Sequence, residues 1–81
     1  MKKLKVVEVR WDDACSYESR HPMDYEFTPK ACCSVGLLIE KSEDKIVVAR
    51  MIEVEEKLLE GTMIIPTRWV KSIKVIGEVK I

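Results

Sequence analysis

Four side chains in this sequence have the thiol or imidazole chemistry that binds zinc: Cys15, His21, Cys32 and Cys33. Thiolates and an imidazole are the ligand set of a tetrahedral zinc site. Such sites draw on cysteines two to four residues apart, whereas Cys32 and Cys33 are adjacent, and neighbours on a strand point to opposite faces. Cys33 then reads as a small core residue, with no metal and no other cofactor expected. A Cys15–Cys32 disulfide is the competing arrangement, favoured by a hyperthermophilic host rather than a moderate cytosol. Cys15, His21 and Asp24 supply a nucleophile, a base and an acid on paper. Nothing in their spacing brings them together, and His21, beside Pro22, reads as a solvated loop histidine. The expectation is a non-enzymatic protein with no catalytic residues and no small-molecule substrate.

Binding chemistry is better represented. Trp11, Tyr17, Tyr25, Phe27 and Trp69 include every aromatic residue of the chain except His21. Aromatics in a polar loop anchor protein partners, so these five form the candidate interaction patch. The alternative is a nucleic-acid face built from Lys3, Lys5, Arg10, Arg68, Lys71 and Lys74, with Trp69 able to stack a base. Asp12 and Asp13 read as closing the turn that follows the first strand.

The elements that must position these groups follow from pattern. The chain has 81 residues, which makes one domain over 1–81 with a small core. Its 14 basic and 14 acidic residues cancel, which excludes a strongly basic, nonspecific nucleic-acid binder. The charge is nonetheless segregated: residues 1–10 and 61–81 each carry +3, and 11–39 and 40–60 each carry −3. Asn and Gln are absent while Lys and Glu number ten each, the bias of proteins from hot-growing hosts. No apolar run approaches the roughly 18 residues of a membrane span. The N-terminal lysines resemble a secretory signal, but Glu8 and Arg10 break the apolar region that a signal needs, so a cytoplasmic protein is expected.

Residues 4–11 alternate as a strand, with Val7, Val9 and Trp11 on one face. Residues 12–30 hold two prolines and few aliphatics and read as a long loop. In 31–40, Cys33, Val35, Leu37 and Ile39 are expected to line the interior, with Gly36 at a bend or close approach. Ser42, Glu43 and Asp44 make a turn. Residues 45–54 form a third strand, rich in β-branched residues. Residues 55–60 read as a hairpin loop, and 62–66 as a short fourth strand ending at Pro66. Residues 67–70 read as one 3₁₀ turn, and 72–81 as the last strand, with Ile73, Val75, Gly77, Val79 and Ile81 sharing a face.

Trp11-Asp12-Asp13-Ala14, Ser34-Val35-Gly36-Leu37-Leu38 and the segment from Ile64 to Ile73 carry a resemblance. They are similar to small proteins encoded by bacteriophages and prophages, with the pattern Trp-x-Asp-Ala, Ser-Val-Gly-aromatic-Leu and Ile-Pro. The resemblance implies a fold and no assigned activity. Here Leu37 occupies the usual aromatic position. Residues 35–76 also resemble, more loosely, Sm-like and SH3-like barrels, with a Gly-x-Leu strand, a turn and an aliphatic strand. The Sm-like RNA turns are not matched: Asp44 has no accompanying Asn, and Pro66-Thr67-Arg68 lacks glycine.

These readings converge on an all-β domain: a small, strongly bent, five-stranded SH3-like or Sm-like barrel. They imply a binding or assembly module of phage or prophage origin. It would act through a protein partner or self-association, through a strand edge or the aromatic loop, with RNA or DNA binding through the basic terminal strands as the alternative.

Overall fold

The computed structural model describes residues 2–14 and 20–81. Five antiparallel strands form one sheet: β1 (Lys3–Asp13), β2 (Lys30–Lys41), β3 (Lys45–Glu53), β4 (Leu58–Pro66) and β5 (Val70–Lys80). Their spatial order is β4-β3-β2-β1-β5, so β2 is central, β1 is interior and the last two strands are the edges. A 3₁₀ turn, Thr67–Trp69, connects those edges, as the sequence pattern predicts. Among the described residues no helix is long and apolar enough to cross a membrane. The edges are not hydrogen-bonded to each other, so the sheet is open. The all-β, five-stranded expectation holds; closure into a barrel is not seen.

Local chemistry accounts for the turns. The Ser42 hydroxyl accepts from the Asp44 and Lys45 amides at 3.3 and 3.2 Å, which closes the β2–β3 turn. The 3₁₀ turn is tied to it: the Thr67 amide donates to the Asp44 carbonyl at 3.0 Å, and the Thr67 hydroxyl to the Ser42 carbonyl at 2.9 Å. Between β3 and β4 the Glu53 carboxylate caps the Glu56 amide, and Lys57 takes a left-handed φ of 58°. β4 therefore starts at Leu58, earlier than the 62–66 expected. Bulges bend the sheet between Val6 and Val7 and between Arg10 and Trp11 on the β5 side, and between Leu38 and Glu40 on the β3 side.

Val7, Val9, Ile46, Val48 and Ile65 are the buried core, with Trp11, Leu38, Val70 and Ile73 packed against it, so every strand contributes. Val7 pairs with Gly36, Val9 with Ser34 and Trp11 with Cys32, and directly opposed residues share a face. The face of β2 toward the core is therefore Cys32, Ser34, Gly36 and Leu38. This corrects the expectation: Cys33 is exposed, Val35 is 58% exposed, and Leu37 and Ile39 are only half-buried. The physical reason is crowding. A Cβ built on Gly36 would sit 2.8 Å from the Ala49 carbonyl oxygen, so β2 and β3 approach too closely for a larger residue. Small residues then line the interior, and bulk comes from the Trp11 side chain beside Ser34. On β5, the bulge at Ile76 breaks the expected face: Ile73 and Val75 lie opposite Val9 and Val7, whereas Gly77 and Val79 lie opposite Val6 and Leu4, on the other face.

Gly36→Ala is accordingly expected to cost about 1–3 kcal/mol, the range for inserting a methyl into a filled site. Gly77→Ala, where the nearest atom to the new Cβ lies at 3.7 Å, is expected to change stability by less than about 0.5 kcal/mol. Urea unfolding of both variants checks the contrast.

Candidate functional site

The aromatic residues do not gather into one patch. Tyr17, with Cys15, lies outside the described residues. In the loop between β1 and β2, Tyr25 and Phe27 are exposed and pack edge-to-face, with ring centroids 4.9 Å apart. His21 joins them, at 4.4 Å from Tyr25 and 5.5 Å from Phe27. The imidazole expected to be a solvated loop residue is thus part of an aromatic cluster, and sequence spacing alone gives no sign of that cluster. Trp11 is half-buried elsewhere, its indole N–H donating to Ser34 Oγ at 3.0 Å. Trp69 is half-buried in the 3₁₀ turn.

The cations separate too. β1 and β5 are neighbours, as a basic patch requires, but carboxylates are interleaved. Lys3 lies 3.7 Å from Glu78, and Lys71 lies 3.3 Å from Asp12. Lys5 is opposite Glu78 and Lys74 opposite Glu8 in the β1–β5 register. Arg10 Nε donates to Glu8 Oε1 at 3.1 Å. That hydrogen bond, with the Cys33 and Glu8 side chains close by, holds the guanidinium more firmly protonated than usual. These pairs are exposed and contribute little to stability. Arg68 has no ion pair or hydrogen bond among the described residues. No group of three His, Cys, Asp or Glu placed to hold a metal occurs among the described residues.

Two adjoining hollows lie where β1, β5 and the 3₁₀ turn meet. The larger, about 390 Å³, is lined by Arg10, Trp11, Cys32, Cys33 and Ser72 among others. The smaller, about 250 Å³, is lined by Ala14, Pro29, Arg68 and Trp69. Asp12 and Lys71 line both, so their ion pair marks the shared border.

A further exposed feature is apolar. β4 exposes Leu58, Leu59, Met63 and Ile64, and β5 exposes Val75, Ile76 and Val79. Ile64 is 64% exposed. These two strands are the sheet's edges, whose outward N–H and C=O groups have no neighbouring strand. A separate hollow of about 190 Å³ is lined by Leu4, Ile39, Ile52, Leu59 and Ile81, with Lys2 and Lys57. Sequence reasoning points to a strand edge without singling out these residues. The signal was there: Leu58-Leu59 and Met63-Ile64-Ile65 on β4, and Val75-Ile76 on β5, are apolar on both faces. A two-faced apolar strand in so small a sheet needs a second cover.

Comparison with protein-family models, curated proteins and solved structures yields no match to this chain.

Proposed function

We propose that this chain is a non-enzymatic assembly module, of phage or prophage origin, that binds further copies of itself in the cytoplasm through its two open strand edges. The observation that supports this reading is the coincidence of unpaired backbone with exposed apolar side chains on β4 and β5. Monomeric proteins blunt such edges with lysine, proline or short strands. Here Pro66 guards only the end of β4, and the rest of that edge carries one charge, Glu60; the three lysines of β5 guard it against a second β5 but not against the acidic β3–β4 tip.

Charge selects the pairing. The β3–β4 tip carries Glu53, Glu55, Glu56 and Glu60 against Lys57, while β5 carries Lys71, Lys74 and Lys80 against Glu78. Pairing β4 with β4, or β5 with β5, sets like charges together; pairing β4 of one copy with β5 of the next sets opposite charges together. The contact is then head-to-tail, which generates a ring if it closes and a filament if it does not. The strand order and the 3₁₀ turn before the last strand fit a small SH3-like or Sm-like barrel whose seam is filled by a neighbour's strand.

Hydrogen exchange tests this reading. Amides of β4 and β5 are expected to exchange quickly in dilute solution and to gain protection as concentration rises, while β1 amides stay protected throughout. Protection at both edges that does not change with concentration would remove the proposal.

A further inference from the structure

We infer that the hollow between the β3–β4 tip and the ends of β1, β2 and β5 binds a medium-chain carboxylate, its chain on the aliphatic walls and its head against Lys2 and Lys57. The inference goes beyond self-association, because it uses side chains that share a face rather than the backbone of the sheet edges. Register fixes one wall. The Ile81 amide donates to the Lys2 carbonyl at 2.9 Å, which extends the β1–β5 ladder in which Leu4 opposes Val79. Lys2, Leu4 and Ile81 therefore share a face. Val6 opposes Leu37, which puts Ile39 on that face as well. The other wall is Ile52 and Leu59, directly opposed in the β3–β4 ladder and so on one face of that hairpin. The β2–β3 ladder takes in only Ile46–Ala49 of β3, so the tip is not held to β2. Ile52 and Leu59 meet Leu4, Ile39 and Ile81 across a space of about 190 Å³.

Size and lining select the ligand. An apolar cavity of about 150 Å³ takes benzene, so this one admits an aliphatic chain of roughly six to eight carbons. Five aliphatic side chains favour hydrocarbon, and the two lysines favour an anionic head. Nearby carboxylates are directed elsewhere. Glu53 and Glu60 alternate with Ile52 and Leu59, and so project from the other face of the hairpin. Glu53 caps the Glu56 amide, and Glu60 pairs with Arg50 at 3.2 Å. Glu78 pairs with Lys3 at 3.7 Å. Glu55 and Glu56 precede Lys57 in the turn and weaken its field, so the chain contributes most of the affinity.

Titration of the whole chain, labelled at its methyl groups, with straight-chain carboxylates tests the site by NMR. Octanoate is expected to bind saturably, shifting the methyl signals of Leu4, Ile39, Ile52 and Leu59. Those of Ile46 and Ile65 in the core should stay in place. From butanoate to octanoate each methylene should tighten binding by up to about fourfold, the effect of burying one methylene. The gain should stop once the hollow is full. Lys57→Gln, at an exposed turn position, should narrow the preference for octanoate over octanol by up to roughly fivefold, the range of an exposed ion pair. Lys3→Gln, whose side chain alternates to the other face from Lys2, should leave that preference unchanged. The inference is overturned if octanoate gives no saturable shift, or if the shifts fall on Ile64 and Val75 instead. It is equally overturned if affinity keeps rising through dodecanoate, or if octylammonium binds as tightly as octanoate.

Discussion

Ile65→Ala is expected to remove about 2–5 kcal/mol of stability, the range for truncating a fully buried aliphatic side chain. Ile65 is completely buried and pairs directly with Ile46, itself 1% exposed, across the β3–β4 ladder. These residues sit where the edge strand β4 meets the core built by Val7 and Val9 of β1. The cavity has little means of collapsing, because the 3₁₀ turn that follows is pinned to the β2–β3 turn through Thr67. A chain of 81 residues has a total stability of roughly 4–12 kcal/mol, so the loss is a large share of the whole. Val35→Ala is the contrasting variant. With Val35 on the outer face of β2, its truncation is expected to change stability by less than about 0.5 kcal/mol. Chemical denaturation measures both, and comparable losses would mean that the face assignment of β2 is wrong.

The second large effect concerns association. Ile64→Lys places a charge on the β4 edge, and Val75→Lys does the same on β5. Both positions are more than half exposed, so neither change disturbs the core. An edge lysine is the device by which natural sheets prevent strand addition, because pairing would bury its ammonium against an apolar strand. A head-to-tail contact consumes one β4 edge and one β5 edge, so either substitution alone is expected to abolish assembly. Each variant should sediment as a monomer of about 9.4 kDa at concentrations where the unmodified protein is larger. Their denaturation midpoints in dilute solution should match that of the unmodified monomer.

Much of the fold is legible in the sequence because it rests on local signals. The β-branched run of β3, the Ser42-Glu43-Asp44 turn and the Pro66-Thr67-Arg68-Trp69 turn each announce themselves within a few residues. The face of β2 does not. Counting apolar side chains favours Cys33, Val35, Leu37 and Ile39, whereas register with β1 puts Ser34 and Gly36 inside. That choice depends on the close approach to Ala49 and on the bulk of Trp11 from another strand, neither of which β2 encodes. β5 fails similarly, since the bulge at Ile76 shifts its alternation by one. The candidate site was legible as an inventory and not as an arrangement. Trp69, Arg68 and Lys71 are sequence neighbours, but their approach to Arg10, Trp11 and Pro29 depends on β1 and β5 lying side by side.

Head-to-tail edge pairing is tested most directly by mixing Ile64→Lys with Val75→Lys and measuring mass by sedimentation equilibrium. Each variant keeps the edge that the other has lost, so one productive contact survives in the mixture and none in either component. The expected result is two monomers apart and a 1:1 heterodimer together, at twice 9.4 kDa. Self-association of either variant by itself, or a mixture that stays monomeric, would contradict the account.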